Sequence, residues 1–293
     1  MSGEVIALVS AFFWAVASVL LTMSARQLHV LPLNLIRCAV ASLFFWSLLP
    51  FYGGLRALTE IPLSAWLWLT VSVVGLLVIG DSFYFRAMDL AGVSWAMPLA
   101  SITPLWVVLL AGLLIGEPLT WPLFLGAALV VLGVALVSRS GNEGETGTSR
   151  SSQERRRGLW LALWASFCWA IGQLALKPGT AGMHSVVANC IRQPMGMLLL
   201  MGPSLLHGRW RELGQLDRKS WMILIAASLI GTGIGTLLFI TAIQMAGAGR
   251  ASVLTTVSPL MAVPFSILWL HERPTLWTLA GILLTISGIA LVM

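Results

Sequence analysis

The sequence predicts an all-α integral membrane protein, with ten transmembrane helices arranged as two inverted five-helix repeats. One reason is composition: of 293 residues, 58% are hydrophobic and 10% are charged, with a mean hydropathy of +0.92. Soluble proteins carry about a quarter charged residues. The other reason is an internal repeat over nearly the whole chain. Soluble enzymes, disordered chains and nucleic-acid-binding proteins are therefore excluded as whole-chain interpretations.

Ten apolar segments are predicted to span the bilayer, since one span needs about 20 mostly apolar residues. Between the fifth and sixth, a stretch rich in Gly, Ser, Thr and Glu predicts a polar flexible linker over 139–157. The predicted spans are 4–24, 33–51, 63–86, 92–115, 119–138, 158–176, 185–206, 220–244, 250–270 and 275–293.

The repeat is visible when the sequence is shifted by 155 residues. Residues 1–138 then align on 156–293 without a gap, and 36 of the 138 positions are identical. We therefore predict one unit over 1–138 and a second over 158–293. Five spans is an odd number, so the second unit must enter the membrane from the opposite side. Inverted repeats of this kind commonly hold a substrate site near the midplane, exposed alternately to each side.

The charged residues leave the orientation open. The predicted loops on the side of the linker carry 12 Lys and Arg, and those on the side of the termini carry three. The positive-inside rule then places the linker in the cytoplasm. The cysteines lie in apolar runs at scattered spacing, which predicts neither disulfides nor a metal site. They are Cys38, Cys168 and Cys190.

Two pairs of motifs resemble the EamA-type family of the drug/metabolite transporter superfamily. They are FYFRAMDLAGVSWAMPLASITPLW (83–106) with FITAIQMAGAGRASVLTTVSPLM (239–261), and GEPLT (116–120) with HERPT (271–275). The resemblance implies ten helices in two inverted halves and secondary transport, usually export, of small metabolites such as amino acids. It also implies that both termini lie in the cytoplasm, against the charge bias.

Asp81 is the candidate coupling residue. It lies within the third predicted span, where an ionised carboxylate costs a few kcal/mol, and its repeat counterpart is Thr236. We predict that it takes up a proton or pairs with a substrate ammonium. The alternatives are a structural ion pair with Arg86 and a carboxylate that extends to the membrane interface.

Arg37 and Arg192 are equivalent in the repeat, each within the pattern Asn-x-Ile-Arg. A guanidinium inside the membrane must face the protein interior or water, where it can bind a carboxylate through two parallel hydrogen bonds. Because both halves keep the arginine, a scaffold role stays open. Together with Asp81, an arginine would match a zwitterionic amino acid.

Further candidates line the predicted cavity. Trp14 and Trp169 occupy matching midspan positions, away from the interfaces where most membrane tryptophans lie. They are predicted to floor an apolar cavity, with ordinary core packing as the alternative. Tyr84, Gln173 and Gln244 are additional predicted lining residues.

Pro104 and Pro259 break intrahelical hydrogen bonds at corresponding positions, which indicates a transporter's substrate site. Glu117 and Glu272 precede Pro-x-Thr and Arg-Pro-Thr, between spans. Carboxylates there are predicted to cap the following helix. A gating role is the alternative.

The sequence therefore predicts a secondary transporter, not an enzyme, that exports small polar metabolites by alternating access, with proton coupling as one mechanism. The alternative is a non-transporting membrane subunit that partners a lipid- or sugar-modifying enzyme. The expected partners are a small-molecule substrate and the lipid bilayer of the plasma or inner membrane, without nucleic acid. No cofactor or metal is predicted, and the oligomeric state stays open.

Overall fold

The computed structural model describes residues 1–24, 28–140, 151–206, 208–270 and 276–293. Within those ranges the regular structure is helical, which confirms the predicted all-α fold. The main helices are α1 (Gly3–Ser24), α2 (Val30–Leu48), α3 (Leu63–Ala91), α4 (Val93–Ala100), α5 (Thr103–Leu110), α6 (Trp121–Ser140), α7 (Ser152–Leu174), α8 (Ser185–Leu206), α9 (Arg218–Ala246), α10 (Ala248–Thr255), α11 (Ser258–Leu270) and α12 (Leu276–Val292). Short helical turns lie at Leu49–Tyr52, Arg56–Thr59, Ala111–Ile115, Leu176–Gly179 and Arg209–Gln215.

Six helical stretches in the described chain are long and apolar enough to cross a membrane. They are Gly3–Leu21, Leu31–Tyr52, Leu63–Ala91, Trp95–Ile115, Ser152–Gly179 and Arg218–Ala246. Two shorter apolar helices, Trp121–Val137 and Leu276–Val292, coincide with the fifth and tenth predicted spans. Helix α8 has 22 residues, but Asn189, Arg192 and Gln193 make it less apolar. These three polar side chains are buried in the protein interior.

Two predicted spans are broken in the middle. Residues 101–102 separate α4 from α5, and residues 256–257 separate α10 from α11. Pro104 and Pro259 follow each break, in the first turn of the next helix. Proline is well tolerated there, because the first N–H groups of a helix have no intrahelical partner. The interruptions lie 155 residues apart and place irregular backbone within the membrane-spanning region.

The helices of the first half pack mainly against those of the second. Helix α1 packs on α9, α10 and α11, and α7 packs on α3, α4 and α5. Helix α2 packs on α8, and α6 on α12. In the repeat, α1 corresponds to α7, and α3 corresponds to α9. The packing of α1 on α9 is therefore the counterpart of the packing of α7 on α3. The protein interior therefore lies between the halves.

Helices α6 and α12 come together through glycine. A Cβ atom added at Gly281 would lie 2.6 Å from the Gly133 carbonyl oxygen, and one at Gly288 would lie 2.7 Å from the Gly126 carbonyl oxygen. Small residues allow membrane helices to approach closely enough for their backbones to make van der Waals contact. The four glycines therefore set the spacing of the last helix of each half.

Candidate functional site

The candidate site contains two wide π-helical turns. They lie at Val74–Gly80 within α3 and at Ser228–Gly235 within α9. The Trp169 indole N–H donates to the Leu76 carbonyl oxygen at 3.1 Å, and that of Trp14 donates to the Gly231 carbonyl oxygen at 3.0 Å. Such turns often mark functional sites. Each half thus inserts a tryptophan into the π turn of the other half.

Glycine makes room for both indole rings. A Cβ atom at Gly235 would lie 2.6 Å from Trp14 Cδ1, and one at Gly80 would lie 2.6 Å from Trp169 Nε1. Tyr84 contacts Trp169 with ring centroids 5.0 Å apart, and Phe239 contacts Trp14 at 5.1 Å.

Asp81 is the first residue after the π turn of α3 and is partly buried. Its Oδ2 accepts a hydrogen bond from Asn34 Nδ2 at 2.8 Å, and its Oδ1 accepts one from Trp169 Nε1 at 3.0 Å. The alternative partner, Arg86, instead pairs with Asp89 at 3.9 Å on an exposed surface. Asp81 is therefore held by two neutral donors inside the protein.

Arg37 joins this carboxylate through Asn34. Its Nη1 donates to Asn34 Oδ1 at 3.0 Å, and its Nε donates to Thr232 Oγ1 at 3.1 Å. Asn34 thus accepts from the cation and donates to the anion. One connected network now links α2, α3, α7 and α9, which belong to both halves.

The other predicted residues lie in different surroundings. Arg192 is buried on α8, and its Nη1 donates to Asn189 Oδ1 at 3.3 Å. Gln173 lies one turn beyond Trp169 on α7, with a buried Oε1 that has no hydrogen-bond partner. Gln244 is exposed, and its Nε2 donates to the carbonyl oxygens of Thr180 and Met183 at 3.0 and 2.9 Å. The structure thus places Gln244 as a brace for the loop before α8, away from the Asp81 network.

Glu117 caps a helix, but not the one that follows it in sequence. Its Oε1 accepts from the Ala248 N–H at 2.8 Å and its Oε2 from the Gly249 N–H at 3.1 Å. These groups begin α10, in the second half. Lys177 Nζ lies 2.5 Å from Glu117 Oε1. The sequence predicts that Glu117 caps the helix that follows it. In the structure Glu117, from the first half, caps α10 of the second half. Glu272 lies outside the described residues.

A second ion pair joins the halves near the first. Arg250 Nη1 lies 3.0 Å from Glu4 Oε1, linking α10 to the start of α1. Both ion pairs therefore meet at the amino-terminal end of α10.

Both units of the chain match one protein-family model, that of the EamA-like transporter family, at residues 1–139 and 156–293. The chain belongs to this family. Like its family, it is a multi-pass membrane transporter and not an enzyme.

Relatives of this EamA-like transporter are also named as transporters. An "Uncharacterized transporter" from Archaeoglobus fulgidus is 27% identical over 98% of this chain and 96% of its own length. A "Probable terminal-alkyne amino-acid exporter" from Streptantibioticus cattleyicolor is 24% identical over 66% of this chain and 62% of its own length. A crystal structure described only as that of a protein has the same fold, with a TM-score of 0.82 at 18% identity over 99% of this chain and 94% of that one.

Two members of the EamA-like transporter's polar network are not among the site candidates predicted from sequence. Asn34 belongs to the Asn-x-Ile-Arg pattern, and its spacing of three residues from Arg37 places both side chains on one helix face. Thr232 lies within the glycine-rich run GTGIGT (231–236). Its contact with Arg37 depends on packing of α2 against α9, which no local pattern reveals.

Gly247→Ala is expected to destabilise the protein by about 2–6 kcal/mol. Gly247 has a φ of +92° and a ψ of +161°, and a Cβ atom there would lie 2.9 Å from both Glu117 carboxylate oxygens. This backbone conformation is nearly restricted to glycine and costs about 1–3 kcal/mol for alanine, and overpacking adds about 1–3 kcal/mol. Thermal unfolding in detergent measures the change.

Gly182→Ala is the matched control. Its φ is +74°, but no atom lies within 4 Å of an added Cβ, so only the backbone cost applies. Equal losses at the two positions would contradict a collision with Glu117. Adding Glu117→Ala should make the Gly247→Ala change less costly, because it removes the colliding atoms.

Proposed function

We propose that this protein is a secondary transporter that exports amino acids or similar small polar metabolites across the plasma or inner membrane, by proton-coupled alternating access. Its architecture on this proposal is ten spans in two inverted repeats, 1–138 and 158–293, joined by the linker 139–157. The observation that carries the proposal is the Asp81 carboxylate, which is held inside the protein by neutral donors and linked through Asn34 to Arg37.

The reciprocal helix contacts support the inverted repeat. Trp14 reaches the π turn of α9 as Trp169 reaches that of α3. The accepting carbonyls, Leu76 and Gly231, are themselves 155 residues apart. This exchange is expected of two units related by a pseudo-two-fold axis, where the site lies at the repeat interface and the halves rock around it.

The hydrogen bonds of Asp81 support proton coupling and ammonium binding. A carboxylate with a direct arginine partner would be strongly held in its charged form. Asp81 instead receives one bond each from an amide and an indole. These two neutral donors compensate the negative charge of Asp81 only in part. A proton or a substrate ammonium can neutralise that charge. The unpartnered Oε1 of Gln173, on the helix that carries Trp169, provides a second acceptor.

The amino-acid class has further support from the relative named as a probable terminal-alkyne amino-acid exporter. A zwitterion presents one ammonium and one carboxylate. The site offers an acid and arginines inside a largely apolar protein, and aromatic rings lie beside them. Such pairing compensates the cost of taking both charges out of water.

We also propose that the two inter-half ion pairs gate one side of the pathway. Glu117 contacts Lys177 and the start of α10, and Glu4 contacts Arg250. Rocking of the halves would have to break both ion pairs. The broken helices at Pro104 and Pro259 provide the deformable segments that such motion needs.

Proteoliposome transport tests the proposed function. Vesicles containing the full chain are loaded with each of the twenty standard amino acids, and efflux is followed with and without an imposed pH gradient. We expect gradient-stimulated efflux of at least one amino acid. Absence of movement for all twenty would contradict amino-acid export by this protein. A C-terminal reporter active on only one side of the membrane determines the orientation in cells.

A further inference from the structure

The two arginines that the repeat makes equivalent have different surroundings. Arg37 donates two hydrogen bonds: its Nε donates to Thr232 Oγ1, and its Nη1 donates to Asn34 Oδ1. Asn34 in turn contacts the Asp81 carboxylate at 2.8 Å. The charge of Arg37 is therefore compensated through one intervening amide.

Arg192 lacks this compensation. Arg192 is only 5% exposed, and its Nε is buried without a hydrogen-bond partner. Its Nη1 reaches Asn189 Oδ1 at 3.3 Å, an oxygen also approached by Gln193 Nε2. Asn189 Nδ2 turns back to the Ser185 carbonyl oxygen. Among the described residues, no carboxylate lies at ion-pairing distance from Arg192.

The sequence explains the difference. Under the shift of 155, the counterpart of Thr232 is Leu77, which has no polar atom to offer the Arg192 Nε. The counterpart of Asp81 is Thr236, whose hydroxyl lies 3.5 Å from the Gly231 carbonyl oxygen. The second half thus has the arginine and its asparagine but neither the hydroxyl nor the acid that serve Arg37.

A buried guanidinium with an unsatisfied N–H is costly, and apolar residues in place of a buried charge often leave a protein equally stable or more stable. A purely structural role therefore explains Arg37 but not Arg192. The planar guanidinium offers two parallel N–H groups, a geometry that matches a carboxylate. A bound anion that does not belong to the chain would compensate the charge of Arg192 and accept a hydrogen bond from its unpartnered N–H.

We propose that Arg192 binds the carboxylate of the transported molecule, and that Arg37 belongs to the scaffold. This inference rests on the proposed function and narrows its substrate class to carboxylate-bearing molecules. A Cβ atom added at Gly196, one turn after Arg192 on the same face of α8, would lie 2.8 Å from Leu77 Cδ1, in the π turn that precedes Asp81. This face of α8 therefore adjoins the part of α3 that carries Asp81. A zwitterion places its carboxylate at Arg192 and its ammonium on the side of Asp81.

Thermal unfolding of the full chain in detergent separates the two arginines without any ligand. Arg192→Met is expected to leave the unfolding temperature unchanged or to raise it, because it removes an uncompensated charge. Arg37→Met is expected to lower it, because Asn34 and Thr232 lose their hydrogen-bond partner and Asp81 loses the cation that Asn34 links to it. If Arg192→Met destabilises the protein as much as Arg37→Met does, the scaffold role applies to both and the proposal is wrong.

Ligand binding gives the second test, with two sets of three probes. One set is L-alanine, L-alaninamide and propionate, and the other is L-phenylalanine, L-phenylalaninamide and 3-phenylpropionate. Wild type is expected to bind at least one carboxylate probe about 10-fold or more tightly than the matched amide, as charge-assisted hydrogen bonds imply. Arg192→Gln should abolish that preference. Arg192→Lys, which keeps the charge without the planar geometry, should keep part of it.

The outcomes are distinct from those for the proposed function. Equal binding of acid and amide by wild type, or binding of none of the six probes, overturns the role of Arg192. Efflux of amino acids from proteoliposomes would still stand in that case. Conversely, a carboxylate preference that depends on Arg192 without any efflux would support the site and contradict transport.

Discussion

Asp81→Asn is expected to slow proton-driven amino-acid efflux by about 10- to 100-fold. The amide carries no exchangeable carboxyl proton, so the imposed pH gradient loses its coupling site. It also offers one acceptor oxygen where Asn34 and Trp169 now find two. A hydrogen bond to a charged group contributes about 1.5–3 kcal/mol, and 1.36 kcal/mol corresponds to tenfold in rate. Efflux with and without a pH gradient measures the loss.

Asp89→Asn provides the matched control, because Asp89 lies on the same helix, α3, but is exposed beside Arg86. It should transport at a rate close to wild type. A variant at Asp81 that responds to the gradient as strongly as wild type would remove Asp81 from the coupling mechanism. A variant that loses gradient stimulation but keeps slow exchange would separate coupling from substrate binding.

Gly281→Ala is expected to destabilise the protein by about 2–3 kcal/mol, at the upper part of the range for overpacking. The new Cβ would lie 2.6 Å from the Gly133 carbonyl oxygen and 2.7 Å from Val137 Cγ2. A backbone atom cannot turn aside as a flexible side chain can, so α6 and α12 must separate. The temperature of unfolding in detergent reports the change.

The same substitution at Gly202 should change the stability much less. Gly202 lies within helix α8, and apart from its chain neighbours no atom lies within 4 Å of an added Cβ there. Alanine in place of glycine within a helix stabilises by roughly 0.5–1 kcal/mol, and the contact of the new Cβ with the ring of Pro203 opposes that gain. If both variants change stability equally, close contact between α6 and α12 does not control the stability of the protein.

Much of the helical layout could be predicted from sequence, because long apolar segments leave few alternatives. The third predicted span, 63–86, corresponds to α3, Leu63–Ala91. Pro98 and Pro104 are the local signals for the interruption at residues 101–102. Neither fixes its exact place, which follows the end of α4 at Ala100.

The candidate site was only partly predictable. Asp81 stands out in any apolar segment, since a membrane interior rarely holds a carboxylate. Its partners Asn34 and Trp169 come from other helices, and sequence distance does not reveal those contacts. Glu117 was expected to cap the helix after it, because capping rules describe local geometry. It caps α10 instead, since tertiary packing brings that N-terminus closer.

The ion pairs at the start of α10 have an energetic consequence for the proposed alternating-access cycle. In a perfectly duplicated chain, the two extremes of rocking would be related by a two-fold axis and would have equal free energy. The counterparts of Glu4, Arg250 and Lys177 are Leu159, Trp95 and Thr22, so the same contacts cannot form at the opposite face. If the halves rock as proposed, the two extremes therefore differ in free energy, and the empty protein favours the one in which both ion pairs are formed.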